Sequence, residues 1–185
     1  MQFSESTVNE SEMSIHFPFA DGSRRDSVGD LLEVTGIDTS RHRRNPVVLF
    51  DHGKTVAIPV AQAEDPKTRE YTITIDGVAK QAWCKAFFYQ ADEGKDYDHA
   101  KFCDQLFDMV AKKYVRGSSI GYVTTQGYPL AGDPTKGIPQ GMHLQKVLLL
   151  EASIVIMPAN QDTILKMLSL HRVCGKPMSH VLVKS

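Results

Sequence analysis

The first twelve residues are poor in apolar side chains and read as a flexible terminus; Ser14–Phe19 then alternates well enough for a first strand. The stretch from Asp21 to Arg44 is polar, interrupted by Leu31, Leu32, Val34 and Ile37, and fits a short strand within an irregular loop. Val47–Phe50 is a short apolar run ending at Asp51-His52-Gly53, where the glycine marks a turn. Thr55–Ala61 is again β-branched and apolar. Tyr71–Ile75 sets Tyr71, Ile73 and Ile75 against Thr72 and Thr74, the pattern of a half-buried strand. Asp76-Gly77 is a hairpin turn signal, and Ala79–Tyr89 returns as the partner strand. Short strands separated by turns predict a β-barrel or sandwich.

One helix breaks the series. Asp96 or Asp98 can cap its start, and Phe102, Leu106, Met109, Val110 and Tyr114 recur at helical spacing. Gly117 is the expected stop, with a new strand from Ser118 to Val123. Gly127 to Gly141 carries three Gly-x-Pro turns and reads as a connector, or as a flap beside a site. His143–Met157 is a long strand expected to bend or break near Glu151. Pro158-Ala159-Asn160 ends it, and a short helix is expected over 162–170.

Composition narrows the class. A chain of 185 residues fits one domain and can bury a core without disulfides. A formal net charge of -1 gives no long-range pull toward nucleic acid or membrane, although Arg24-Arg25 and Arg41-His42-Arg43-Arg44 are locally basic. Cys84, Cys103 and Cys174 are odd in number and far apart, which suits a reducing compartment rather than a disulfide framework. The polar start resembles no signal peptide, and no apolar run is long enough to span a bilayer, so a soluble intracellular protein is expected.

Two ionisable residues stand in apolar strand contexts. His52 follows the run Val47–Phe50, and Glu151 lies between Val147–Leu150 and Ala152–Ile156. A carboxylate buried there without a partner is strongly unfavourable, and a histidine is a natural partner; Arg116 or Lys146 would make it a purely structural ion pair. Ser119 lies at a helix-to-strand junction among small residues, Gly117, Ser118 and Gly121. A serine hydroxyl becomes a nucleophile when an imidazole takes its proton, and a carboxylate fixes that imidazole. Rival readings remain. Cys84 or Cys103 could be a thiol nucleophile, though both read as core cysteines. His99 with Cys103, and His171 with Cys174, have ligand types at close spacing, but neither pair closes a tetrahedral zinc site. No metal and no organic cofactor are expected.

The wording around these residues adds more. Arg43-Arg44-Asn45-Pro46-Val47-Val48-Leu49-Phe50-Asp51-His52-Gly53 resembles the histidine motif of tailed-phage prohead proteases. Gly117-Ser118-Ser119-Ile120-Gly121-Tyr122 resembles their serine motif. Leu150-Glu151-Ala152-Ser153-Ile154-Val155, followed by Met157-Pro158-Ala159-Asn160, resembles their third motif. The three fall in the family's order, Asp26-x-x-Gly29-Asp30 looks like its N-terminal portion, and the resemblance spans roughly residues 24 to 165. Ser118 stands where the family has an apolar residue, which keeps both adjacent serines open as the nucleophile.

The resemblance implies an α+β fold related to herpesvirus assemblins, a mostly antiparallel β-barrel flanked by helices. It divides the chain into a flexible terminus (1–12), a protease domain (13–170) and a tail (171–185). It implies a serine endopeptidase with His52, Ser119 and Glu151 as triad, cutting scaffold and major capsid protein extensions, and itself, inside the procapsid assembling in the host cytoplasm. Oxyanion donors would come from backbone amides near residues 117–119, or from Arg116. A homodimer or higher homo-oligomer is expected, and the alternative function is an inactive scaffold or capsid-assembly protein on the same fold. No long charged helix of the kind a fused scaffold would carry follows before Lys184-Ser185, which fits a processed core or a scaffold encoded separately.

Overall fold

The computed structural model describes residues 6–54, 58–90 and 98–158. Among these, one mixed ten-stranded sheet contains β1 (Thr7–Asn9), β2 (Ser14–Asp21), β3 (Leu31–Leu32), β4 (Ile37–Asp38) and β5 (Val47–Phe50). It continues with β6 (Ala61–Gln62), β7 (Ile73–Asp76), β8 (Gln81–Phe88), β9 (Gly117–Leu130) and β10 (Gly141–Val155). The helices are α1 (Ser40–Arg44) and α2 (Asp98–Ala111). The expected helix over 162–170, the 171–185 tail and residues 55–57 of the β-branched run lie outside the described residues.

The architecture is α+β, as expected, but the sheet curls into half a barrel rather than closing. The main path runs β1-β2-β8-β6-β5-β10-β3, with β9 paired to β10. Among the described residues no ladder joins β9 to β2. Pro18 has no N–H to give, and its carbonyl instead accepts the Ser118 hydroxyl at 2.5 Å. This side-chain bond ties the two margins of the curl.

β10 is the spine. β3, β4 and β5 pair with it in parallel, one after another, through Leu144↔Leu32, Val147↔Ile37 and Ala152↔Val48. β9 pairs antiparallel along its whole length. The antiparallel majority expected from the hairpin signals is therefore interrupted only along β10. The strand also changes phase. Val147 and Leu149 are core residues, and so are Ala152 and Ile154, because a register shift falls between Leu149 and Glu151. That bulge is the break expected near Glu151.

α2 lays Ala100, Cys103, Leu106, Phe107 and Val110 against the sheet. Phe102 meets Phe50 edge-on at 5.8 Å, and Phe107 meets Phe88 at 5.2 Å. The helix ends earlier than expected. Lys113 takes a left-handed φ of 65° that breaks it, Tyr114 lies beyond it at 78% exposed, and Gly117 opens β9 instead. The N-terminus also differs from expectation: Thr7–Asn9 pair with Ser14–His16, because β-branched Thr7 and Val8 complete a hairpin edge. The Gly/Pro-rich segment is more than a plain connector. Its flanks extend β9 and β10 into one long hairpin, leaving residues 131–140 as the tip. Pro129 is accommodated in β9, whose outer side carries no ladder among the described residues.

His42 is fully buried in α1, with Nδ1 at 2.7 Å from the Tyr71 hydroxyl and Nε2 at 2.9 Å from the Val47 carbonyl. It locks α1 onto the start of β5. Burial holds its pKa below the ordinary 6.5, and burial followed by Lys85 does the same for His16. Below pH 6.5 the unfolded chain therefore binds more protons than the folded one, and stability falls as pH falls through that window. Urea midpoints at pH 7.5 and 5.5 check this. The wild type loses stability at the lower pH, and His42→Gln loses distinctly less, with His16 supplying the remainder.

Candidate active site

β5 runs parallel to β10 with Phe50 level with Ile154, so a straight continuation would carry His52 level with Ile156. Glu151 would then lie five residues behind, roughly 16 Å along the strand. The chain instead turns back at once. Asp51, His52 and Gly53 all take left-handed backbone, with φ of 49°, 56° and 72°. A non-glycine residue there costs on the order of 1–2 kcal/mol, and Asp and His are among those that tolerate it best. The turn brings His52 Nδ1 to 2.7 Å from Glu151 Oε1. The two side chains are 31% and 13% exposed, so the pair is shielded while one ring edge stays accessible.

The bulge in β10 determines where Glu151 points. In phase with Val147 and Leu149 its carboxylate would enter the hydrocarbon core. The shift puts Ala152 and Ile154 there instead, and turns Glu151 and Ser153 to the other face. On β9, Gly121 pairs with Glu151 and Ser119 with Ser153, so these four share that face. Gly121 makes the arrangement possible: a Cβ there would sit 2.4 Å from Glu151 Oε1. The other carboxylate oxygen, Oε2, accepts the Ser153 hydroxyl at 2.5 Å. Neither Arg116 nor Lys146 is the partner of this carboxylate; both are exposed.

The adjacent serines are separated by strand alternation. Ser118 shares the core side with Ile120, is 1% exposed, and has its hydroxyl bonded to Pro18. Both serines line a cavity of about 280 Å³ together with His52, and Ser119, only partly buried, is the more accessible of the two. The cavity opens at the seam the sheet leaves between β2 and β9. Phe19, Ala20 and Asp21 form one side, Ser118, Ser119, Ile120 and Tyr122 the other. Asp26 and Asp30 floor it, and both are used to hold the loop: Asp26 Oδ1 accepts the Asp30 N–H at 2.9 Å, and Asp30 Oδ1 accepts the Met142 N–H at 2.7 Å. Burial pushes the Asp26 pKa up against the pull of its backbone donors. Of the residues expected to supply oxyanion donors, Ser118 and Ser119 line the cavity, and Arg116 and Gly117 do not.

The thiol rivals are buried. Cys84 and Cys103 are both 0% exposed; burial raises the Cys84 pKa strongly and, with Asp104, pushes Cys103 up to about 11. His99 Nε2 does approach Cys103 Sγ at 3.5 Å, but the same nitrogen lies 2.8 Å from the Pro59 carbonyl. Among the described residues no group of three metal-ligating side chains gathers. His171 and Cys174 lie outside them.

A paired histidine and carboxylate with a serine lining the same cavity as the histidine are the residue types from which serine-hydrolase chemistry is built. Residues 96–174 match the family model of the caudovirus prohead serine protease, which bears out the family read from the motifs. The match carries Ser119 and Glu151 and stops short of His52. No curated protein and no solved structure matches the chain significantly.

Two substitutions test this construction. Ser118→Ala orphans the Pro18 carbonyl and should lower unfolding stability by about 1–3 kcal/mol, read from denaturant midpoints. Gly121→Ala should displace the Glu151 carboxylate; the loss of the His52 Nδ1–H proton resonance checks it, and an unchanged resonance would contradict the packing described.

Proposed function

We propose that this chain is a serine endopeptidase of capsid maturation, with Ser119 as nucleophile, His52 as general base and acid, and Glu151 orienting the histidine. The observation that carries the reading is the 2.7 Å bond between His52 Nδ1 and Glu151 Oε1 beside the cavity that Ser119 lines. With Nδ1–H donating to the carboxylate, the neutral ring keeps Nε2 as its basic nitrogen. That nitrogen takes the Ser119 proton as Oγ bonds to the scissile carbonyl carbon, whose π electrons move onto oxygen. Collapse of this intermediate breaks the C–N bond, and His52 returns the proton to the leaving amine. Water then attacks the resulting ester in the same way, releasing the carboxylic acid and restoring Ser119. Glu151 steadies the imidazolium that forms in each half-reaction.

The substrates proposed are extensions of scaffold and major capsid proteins, and the chain itself, cut inside the assembling procapsid in the host cytoplasm. The family match supports this class of role, and the curled sheet with few helices is compatible with an assemblin-like ancestry. The active species proposed is a homodimer or higher homo-oligomer, in which a neighbour orders the oxyanion loop.

Co-expression with scaffold and capsid proteins, followed by intact-mass mapping, tests the reading. Cleavage should fall by about 10⁴-fold or more in Ser119→Ala and in His52→Ala. Products that persist in Ser119→Ala move the nucleophile elsewhere, and thiol alkylation then shows whether a cysteine has taken its place. No products from any form favour the inactive scaffold or assembly protein. For the oligomer, specific activity rises with chain concentration, and a flat dilution series removes that part of the proposal.

A further inference from the structure

We infer that Ser153 is a positioning residue of the same site, fixing the Glu151 carboxylate so that Oε1 faces His52; the inference rests on the proteolytic reading above. The terminal torsion of a glutamate is broad and roughly two-fold, so one hydrogen bond leaves its carboxylate free to rock. Here both oxygens are held. Oε1 meets His52 Nδ1 at 2.7 Å, and Oε2 accepts the Ser153 hydroxyl at 2.5 Å.

Ser153 is itself held. It is 0% exposed, sits two residues along the spine from Glu151, and pairs directly with Ser119 across the ladder. The same two strands therefore fix the nucleophile, the carboxylate and the carboxylate's second donor. Gly121 provides the clearance for the carboxylate, and Ser153 the hydrogen bond that selects its rotation. Without that hydroxyl, Oε2 is an acceptor with no donor in a nearly closed site, and the carboxylate turns outward to recover water. His52 then loses the partner that fixes its tautomer.

A merely structural role, as a small residue opposite Ser119, predicts a different pattern. The test uses the purified full chain as wild type, Ser153→Ala, Glu151→Gln and the double variant. Turnover is measured on a fluorogenic peptide spanning the junction mapped by co-expression. The His52 Nδ1–H proton resonance, assigned by its absence from His52→Ala, is recorded without substrate. With Ser153→Ala we expect kcat to fall about tenfold or more, equivalent to about 1.4 kcal/mol, with KM within about twofold. The resonance weakens or moves upfield. In the Glu151→Gln background the same substitution changes kcat little, because the hydroxyl acts through the carboxylate.

An equal loss in both backgrounds, or a folded Ser153→Ala with unchanged kcat and resonance, overturns the inference. If the alanine variant does not fold, Ser153→Cys carries the test: a thiol of similar size is a weak donor and shifts both readouts the same way, and no shift overturns it. Cleavage that survives Ser119→Ala moves the nucleophile elsewhere, and no cleavage by any form sinks the proteolytic reading, while in both cases the resonance still decides the coupling of Ser153 to His52.

Discussion

The structure turns on the burial of one carboxylate. Glu151 follows the apolar run Val147–Leu150 of β10, and an ion in the core would be strongly destabilising without partners. The bulge after Leu149 removes that conflict by giving the core to Ala152 and Ile154 and turning Glu151 to the other face. There it meets His52, Ser153 and the bare backbone of Gly121. The left-handed turn at His52, the pairing of Ser119 with Ser153 and the glycine two residues after Ser119 all follow from housing that group.

The incomplete closure of the sheet is the second organising fact. A fully closed barrel would bond the β9 edge and leave no cavity between it and β2. Here a proline on β2 withholds an N–H, and one serine hydroxyl bridges the gap. The cavity forms where hydrogen bonding stops, next to Ser119. Ser118 and Ser119, adjacent in sequence, both border the cavity, but Ser118 is buried and ties the seam while Ser119 is left more accessible. Alternation along the strand makes that division.

The motif reading singled out His52, Ser119 and Glu151, of which folding pairs His52 with Glu151 and places Ser119 on the same cavity as His52, and alternation in Tyr71–Ile75 with the return at Ala79–Tyr89 located the β7–β8 hairpin. Those signals are local: they depend on side-chain period and turn residues. Ser153 went unremarked, because a serine in an apolar strand has no pattern of its own; only its distance from Glu151 gives it significance. The Gly-x-Pro turns at 127–141 misled for a related reason. Glycine and proline mark turns on average, yet Gly127 and Pro129 lie in a paired strand, since the outer side of β9 carries no ladder among the described residues. The helix end was missed because Lys113, not a glycine, takes the left-handed conformation.

The sequence by itself determined the α+β class, most strand positions and the residue types of the candidate site, because period, turn chemistry and motif wording are written along the chain. It also determined that Glu151 needs a partner. Only folding settles which partner and which face, since His52 and Glu151 are 99 residues apart. Their meeting depends on a parallel register, a bulge and a turn acting together. None of these is encoded in a single segment: each is the lowest-energy compromise between strands that the chain brings together only on folding.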